Sequence, residues 1–298
     1  MKLPFSLIEM LGERVPHVHI VDIGAMYMGD EYVSYRPLLR PGLASVVGFE
    51  PLVSECEKLN AAAAPGQRYL PYCIADGSER TFHVTNTGFT SSLYEPNTEL
   101  LKVFNNLEEL TRVIRSERIR THRLDDLSEV SDVHLLKLDV QGAELDVLRH
   151  SERILRSTML VQCEIEFLEM YKGQPMYSDV DAFMRSRGFM LHFFMGFGGR
   201  AYRPVTTNGN VNLPIRHMLW SDAVYVPHVA RLHEYPPERL LVLALILHEV
   251  YMSVDLAAVV LNHYDRQAKT DLWSEYLREL TGRANPGERP PLLGVDSR

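Results

Sequence analysis

Short apolar runs alternate with longer amphipathic segments along the first three-quarters of the chain. The runs end at or near turn-forming residues, and they cover residues 18–24, 45–51, 68–75, 133–140, 159–167, 189–195 and 221–227. Runs of this length are typical of β-strands that are covered on both faces. Helices are predicted between them at 52–64, 143–156 and 178–189. The alternation predicts an α/β fold with a doubly wound, mostly parallel sheet, in which the last two runs pair at one edge.

Two further regions depart from this alternation. Between residues 80 and 127 the pattern predicts a strand at 81–85, a polar loop, and a helix over 98–115. After Pro237 it predicts a helix pair over 237–267 and a third helix over 270–282. We therefore predict three parts, which are an α/β domain over 1–228, a C-terminal helical subdomain over 229–281 and a flexible tail over 282–298.

Composition narrows the classes of function. The net charge of −8 provides no basic field for a nucleic-acid backbone, so we expect no nucleic-acid partner. The three cysteines are scattered and lack metal-ligand spacing, which fits a reducing compartment. The most apolar run, from Leu240 to Leu247, is too short to span a bilayer, and the acidic start of the chain does not resemble a signal peptide. We predict a cytoplasmic protein without stable membrane insertion.

Acidic residues stand where the predicted strands end. They are Asp22, Glu50, Asp76, Asp139, Glu164 and Glu166. In an open α/β sheet, ligands bind outside the carboxyl ends of the strands, so these side chains are expected to converge on one rim. A single acid there is also an ordinary turn residue, and Asp139 could cap a helix or pair with Lys137 instead.

The first predicted turn discriminates between nucleotide ligands. Gly24 is followed by another glycine only at Gly29, so the G-x-G-x-x-G pattern that cradles a pyrophosphate is missing. Glu50, at the end of the second strand, could accept hydrogen bonds from both hydroxyls of a ribose. This combination favours S-adenosylmethionine over a dinucleotide. The first alternative is an NAD(P)-dependent oxidoreductase on a similar sheet.

Several short motifs, in their order and spacing, resemble the FkbM family of methyltransferases, which use S-adenosylmethionine. The motifs are VDIGA, GFEP, TSSL, RLDDL and LLKLDVQGAELDVL, followed by LWSDAVYVP. The resemblance covers roughly residues 18–227. It implies a seven-stranded methyltransferase (Rossmann-like) sheet with an antiparallel last strand, and O-methylation of a hydroxyl on a carbohydrate or natural product. The α/β domain is then the methyltransferase domain.

The resemblance also implies cofactor-binding residues. Asp22, Gly24 and Ala25 of VDIGA are assigned to the amino-acid end of the cofactor, and Glu50 and Pro51 of GFEP to the ribose side. Asp76 corresponds to the adenine-side loop, and Asp139 to a cofactor-binding or catalytic acid. Two positions depart from the family. The first loop is one residue longer than G-A-x-x-G, and Gln141 stands where a glutamate is usual.

Methylation of a hydroxyl requires a group that removes its proton, and a histidine or a carboxylate is the usual choice. The candidates for this base are Asp139, Glu164, Glu166 and His217. Glu164 and Glu166 share one face of a strand and could bind a divalent cation with Asp139, but a hydrogen bond to a basic residue is the simpler interpretation, and we predict no metal site. The loops 85–96 and 196–210 are candidates for acceptor contacts, and 85–96 could also be a lid.

A second alternative function is one without catalysis. The apolar C-terminal helices could form a core, a homo-oligomer interface or a platform for a partner, so a non-enzymatic scaffold that keeps the fold stays open. The expected partner of the enzyme is a small-molecule or glycan acceptor.

Overall fold

The computed structural model describes residues 3–29 and 33–282. Its contacts divide the chain into two compact units. The larger contains residues 19–29 and 45–228, and the smaller contains residues 3–18, 33–44 and 229–282. The predicted domain boundaries at 228 and 281 stay a prediction, because a contact division does not test independent folding. The predicted flexible tail, apart from Gly282, lies outside the described residues.

The described chain contains ten strands, and seven of them form one sheet. In chain order they are β1 Val18–Ile23, β2 Ala44–Phe49, β3 Gln67–Leu70, β4 Cys73–Ile74, β5 Glu79–Thr85, β6 Val113–His122, β7 Leu135–Leu138, β8 Leu160–Glu166, β9 Phe189–Phe194 and β10 Trp220–Pro227. The large sheet has the order β3-β2-β1-β7-β8-β10-β9. β7 pairs in parallel with β1 and β8, whereas β10 runs antiparallel to both of its neighbours. The predicted α/β fold with an antiparallel last strand is confirmed.

The register of the central strands brings the ends of two of them together. The strand order reverses direction between β1 and β7, which is the topological switch point where ligands bind in such sheets. Asp22 lies opposite Lys137, and Ile23 lies opposite Leu138. The Asp139 amide donates to the Ile23 carbonyl at 2.9 Å, so β1 and β7 end side by side.

A smaller three-stranded sheet, β4-β6-β5, corrects the prediction of one helix over 98–115. Only two short helices form there, α3 Thr98–Leu101 and α4 Leu107–Leu110. Asn106 separates them with a left-handed φ of 58°. The chain then enters β6, whose residues 113–120 pair antiparallel with β5. Cross-strand pairing outweighed the local helical pattern of residues 113–115.

Two other predicted elements are interrupted. The run 68–75 divides at Pro71 into β3 and β4, which belong to different sheets, because proline has no amide to donate to a ladder. The predicted helix 143–156 divides into α5 Glu144–Arg149 and α6 Glu152–Leu155. Ser151, between them, turns its hydroxyl back to the Val147 carbonyl at 2.7 Å.

The other predicted helices of the larger unit are confirmed. They are α2 Val53–Ala62 and α7 Tyr177–Ser186. The main core of this unit consists of the inward faces of β1, β2, β7, β8 and β10 with α5, α6 and α7. β7 is buried at every position, including Lys137, which fits a strand covered on both faces.

The smaller unit is helical. It contains α1 Leu7–Leu11, α8 Pro237–Glu249, α9 Val254–Ala268 and α10 Leu272–Thr281, so the predicted helix pair and third helix are confirmed. α8 is buried continuously from Leu240 to His248. The His248 ring contacts the Tyr276 hydroxyl at 2.9 Å through Nδ1 and the Phe5 carbonyl at 3.1 Å through Nε2. Within the described residues, every helix falls short of the length and apolarity needed to cross a bilayer.

Candidate active site

A pocket of about 150 Å³ lies in the larger unit where β1, β2 and β7 end. Its lining combines acids and amides with apolar walls. The polar and turn residues are Gly24, Glu50, Pro51, Ser91, Lys137, Asp139, Gln141, Gln162 and Asp222. The walls include Met26, Met28, Phe49, Leu52, Tyr72, Phe82, Phe89 and Leu93. The pocket therefore has an apolar body with a few convergent polar groups, which is typical of small-molecule sites.

The turn after β1 requires a glycine. Gly24 has a φ of 81°, and a Cβ on it would lie 1.8 Å from the Asp139 carbonyl oxygen. Its amide donates to the Phe49 carbonyl at 2.9 Å, and the Ala25 amide donates to the same oxygen at 3.1 Å. The first turn is thus pressed against the ends of both β2 and β7, and no larger residue fits.

A buried ion pair lies beside this turn. Lys137 Nζ contacts Asp22 Oδ1 at 3.1 Å, and both side chains are at most 10% exposed. Burial opposes the charge of the ammonium group, but the nearby carboxylates of Asp22 and Asp139 outweigh it and raise the pKa of Lys137. Lys137 lines the pocket and Asp22 does not, so Asp22 contacts the site through the lysine.

Glu50 is a buried acid at the end of β2. One of its carboxylate oxygens accepts a 2.7 Å hydrogen bond from the Leu52 amide. Burial raises the pKa of Glu50 to about 7, and the charges of Glu55, Asp139 and Asp22 act in the same direction, whereas the Leu52 hydrogen bond opposes them. Near neutral pH this carboxyl is therefore divided between its neutral and charged forms.

Gln141 connects the acids of the site. Its side-chain nitrogen donates to Asp139 Oδ1 at 2.8 Å and to Glu164 Oε2 at 2.5 Å, and its side-chain oxygen accepts from the Tyr171 hydroxyl at 2.8 Å. The Ser92 hydroxyl donates to its carbonyl at 2.6 Å. Its backbone has a left-handed φ of 56°, an uncommon conformation for a residue with a side chain. These contacts position the amide between two carboxyl groups.

Behind Gln141, three acids form a cluster. Oxygens of Glu144, Glu164 and Glu166 lie within 4.8 Å of one another. Burial raises the pKa of Glu144 to about 8, and it raises the pKa of Glu164 and Glu166 well above the ordinary value, with the neighbouring carboxylates acting in the same direction. Bound protons are therefore favoured over three negative charges in this cluster. The expectation of no metal site stays a prediction.

The pocket brings together four of the predicted site residues. They are Gly24, Glu50, Pro51 and Asp139. The others lie outside the lining: Asp22 faces Lys137, Ala25 is buried in the first turn, and Glu164 contacts Gln141. The roles predicted for all of these residues stay predictions.

Asp76 and His217 have partners of their own outside the lining. Asp76 accepts hydrogen bonds from Ser78 and from the Thr121 hydroxyl. Although partial burial of Asp76 opposes its charge, these bonds and the nearby Arg80 lower its pKa to about 2. His217 Nδ1 lies 3.0 Å from the Tyr202 hydroxyl. Thr121 belongs to β6, whereas Tyr202 and His217 both belong to the segment between β9 and β10.

Sequence patterns missed several residues of the site. Gln162 and Asp222 line the pocket from β8 and β10, joined by a 3.0 Å hydrogen bond from the Gln162 amide. Their pairing depends on the antiparallel register, in which Asp222 lies opposite Glu164. Glu144 and Tyr171 approach Gln141 and its neighbours from helix and loop. Only Asp222 carried a signal, as an acid inside an apolar run.

Comparison with known proteins gives one family. The profile of the Methyltransferase FkbM domain matches residues 22–191. The 2-O-methyltransferase NoeI of Sinorhizobium fredii (strain NBRC 101917 / NGR234) is 28% identical over 170 residues, which cover 53% of this chain and 68% of NoeI.

Similarity to solved structures is weaker. The N-terminal domain of EvdMO1 with SAH bound has a TM-score of 0.32 and 9% identity, covering 70% of this chain and 74% of that one. The LepI complex with SAM has a TM-score of 0.35 and 9% identity, covering 75% of this chain and 47% of that one. Scores this low support no argument, so the strand order itself defines the architecture.

Proposed function

Since the chain belongs to the FkbM methyltransferase family, we propose that it transfers the methyl group of S-adenosylmethionine to a hydroxyl group of a carbohydrate or natural product. The observation that carries this proposal is the convergence of Gly24, Glu50 and Asp139 on one pocket at the switch point of the sheet. The three come from the ends of different strands, and the first and last of them are more than 100 residues apart along the chain.

The lining offers the kinds of surface that the parts of the cofactor need. The tight Gly24 turn brings backbone close to the pocket, where it suits the amino-acid end of the ligand, and Pro51 and Leu52 continue the wall next to Glu50. Glu50 in its charged form accepts hydrogen bonds from the two ribose hydroxyls. Met26, Tyr72 and Phe82 offer apolar surface to a planar base.

The lining also fits in charge. Glu50, Asp139 and Asp222 line the pocket with Lys137 as the only lining cation among the described residues, and Lys137 is already paired with Asp22. An excess of carboxylates favours a ligand that carries positive charge. When bound, S-adenosylmethionine supplies a sulfonium-activated methyl group for in-line displacement. The protein contributes positioning and removal of the hydroxyl proton.

Asp139 is the candidate base that lines the pocket. Gln141 holds its Oδ1, which leaves the carboxylate oriented and able to accept a proton from an acceptor hydroxyl through its other oxygen. Glu164 contacts the site only through Gln141, and its raised pKa favours the protonated form, which is unsuited to a base. The His217 ring contacts the Tyr202 hydroxyl and does not line the pocket, so we propose that His217 helps to bind the acceptor and does not remove its proton.

The acceptor class rests on the family and on NoeI, whose name specifies 2-O-methylation. We therefore favour a hydroxyl over a nitrogen or carbon acceptor. A dinucleotide-dependent oxidoreductase is disfavoured, because the turn at Gly24 lacks the second glycine of the pyrophosphate cradle. A scaffold role through the C-terminal helices would leave the buried, charged pocket without a purpose.

Titration calorimetry tests the proposal directly. The protein should bind S-adenosylmethionine and S-adenosylhomocysteine, and NADH should give no heat of binding. Glu50→Gln should weaken binding by about tenfold or more, since it removes a charged acceptor. Glu57→Gln, at an exposed position of α2, serves as the matched control and should bind like the parent. Binding of NADH without binding of S-adenosylmethionine would exclude the proposal.

A further inference from the structure

A second cleft lies in the larger unit, beside the loop that follows β5. It has a volume of about 590 Å³. Seven of its nine lining residues have polar side chains, and the lining consists of Asn86, Glu95, Pro96, Thr98, Glu108, Glu109, Thr111, Arg112 and Val113. A cleft of this size can hold a ligand of several rings. None of these residues lines the pocket described above.

One loop forms a wall of both cavities. Gly88, Phe89 and Ser91 face the pocket, whereas Asn86 and Glu95 face the cleft. The loop is therefore a partition, and a ligand that lies across it can reach both cavities.

Hydroxyl groups fix this partition to α4. Thr87 and Thr90 both donate to the Leu110 carbonyl, at 3.0 and 2.8 Å, and the Thr90 hydroxyl lies 2.8 Å from that of Thr85. Ser92 holds the far side through the Gln141 carbonyl. Because both sides are tied to neighbouring elements, the two cavities have a fixed relation to each other.

The cleft offers both donors and acceptors of hydrogen bonds. Two of its acids are already neutralised, since Glu95 pairs with Lys172 and Glu109 with Arg203. Across the described residues, the carboxylate of Glu108 and the guanidinium of Arg112 form no ion pair or hydrogen bond. Asn86 and Thr98 add an amide and a hydroxyl. Pro96 and Val113 are the apolar residues of the lining. The polar groups of the cleft suit a neutral polyhydroxylated ligand, since each sugar hydroxyl both donates and accepts.

We propose that the second cleft binds the distal sugar units of an extended oligosaccharide acceptor, whose reacting unit lies in the pocket on the other side of the loop. This inference rests on the proposed function and narrows its acceptor class from any hydroxyl compound to an oligosaccharide of several rings. Glu108 and Arg112 are the expected contacts, acting in binding and not in proton transfer.

A glycan array tests this without requiring methyl transfer. Labelled protein, with S-adenosylhomocysteine present, is applied to neutral glycans of one to six rings. We expect retention on glycans of three or more rings and little on single sugars. Arg112→Ala and Glu108→Gln should each lower the apparent affinity for the longer glycans by about tenfold. Arg120→Ala removes a comparable exposed arginine of β6 outside both cavities and should leave binding unchanged.

The outcomes separate this proposal from the proposed function. Three results would overturn the assignment of the cleft. They are equal retention of single sugars and oligomers, retention of no glycan at all, and full binding by both cleft variants. Calorimetry with S-adenosylmethionine reports on the pocket alone, and the cleft variants should retain parental affinity there. If the parent protein does not bind S-adenosylmethionine, the methyltransferase proposal is refuted, whatever the array shows.

Discussion

Exchanging the Gln141 amide for a carboxylate removes the donor that joins two acids of the site. In Gln141→Glu, an oxygen takes the place of the nitrogen that lies 2.8 Å from Asp139 Oδ1 and 2.5 Å from Glu164 Oε2. Each lost hydrogen bond to a charged group costs about 1.5–3 kcal/mol. Like charges 4 Å apart repel by about 4 kcal/mol at an effective dielectric constant near 20. Counted at Asp139 alone, where one such hydrogen bond is lost and one such repulsion is added, these costs should lower the free energy of unfolding by about 6 kcal/mol at pH 8.

The pH dependence gives the sign of this effect. The acids around position 141 raise the folded-state pKa of the new carboxyl above its unfolded value of about 4.3. Below that value the carboxyl is protonated in both states and can still donate, so the variant should approach the parent in stability. As the pH rises above about 4.3, the new carboxyl ionises more readily in the unfolded state than in the folded state. The difference in the free energy of unfolding between variant and parent therefore grows with pH.

Urea denaturation from pH 4.5 to 8 measures the deficit. Gln67→Glu is a suitable control, since Gln67 uses its side-chain oxygen to accept from the Ala64 amide, and glutamate keeps that acceptor. The double variant Gln141→Glu with Glu164→Gln restores a donor opposite an acceptor and should recover about 1.5 kcal/mol in a double-mutant cycle. A single variant as stable as the parent at pH 8, or a double variant with no recovery, would refute the role given to Gln141.

Four further outcomes follow from the described contacts. Gly24→Ala should lower the free energy of unfolding by about 3 kcal/mol or more, because its Cβ meets a backbone carbonyl, and urea denaturation with cofactor calorimetry checks this. Lys137→Met should cost about 3–5 kcal/mol, since it leaves Asp22 buried without its cation, and adding Asp22→Leu should recover most of that loss in the same assay. Cofactor affinity should fall about tenfold per pH unit below pH 7, as Glu50 with its raised pKa becomes protonated, and Glu50→Gln should flatten this slope in calorimetry. Burial lowers the pKa of His248, so its contribution to stability is complete above the unfolded pKa of about 6.5 and declines below it, and hydrogen exchange in α8 should accelerate between pH 6.5 and 5.

The pattern of apolar residues was sufficient to predict those elements that tertiary contacts also stabilise. The buried run that became β7 and the helix pair after Pro237 are examples, because burial on all sides gives a continuous apolar signal. It failed over 98–115, because Asn106 interrupts the helix and residues 113–115 join β6 by pairing with β5. It also failed at Pro71, where the chain leaves one sheet for another.

The candidate site shows the same division. Residues at strand ends, such as Glu50 and Asp139, could be predicted because the edge of a parallel sheet collects them. The contacts between side chains could not. The pair of Asp22 with Lys137 depends on register, and the position of Gln141 depends on a left-handed backbone that no pattern of apolar residues encodes.

The long excursion between β9 and β10 leaves and re-enters the sheet at one place. The Met195 amide donates to the Asp222 carbonyl at 2.9 Å, and the Gly198 amide donates to the Trp220 carbonyl at 2.9 Å. These bonds join the two ends of the segment between β9 and β10. The length of this segment can therefore change without moving either strand. Relatives could therefore exchange or lengthen the residues between Gly198 and Trp220 while Asp222 keeps its position. Chimaeras with junctions at Gly198 and Trp220 are the natural starting point for changing which acceptor is methylated.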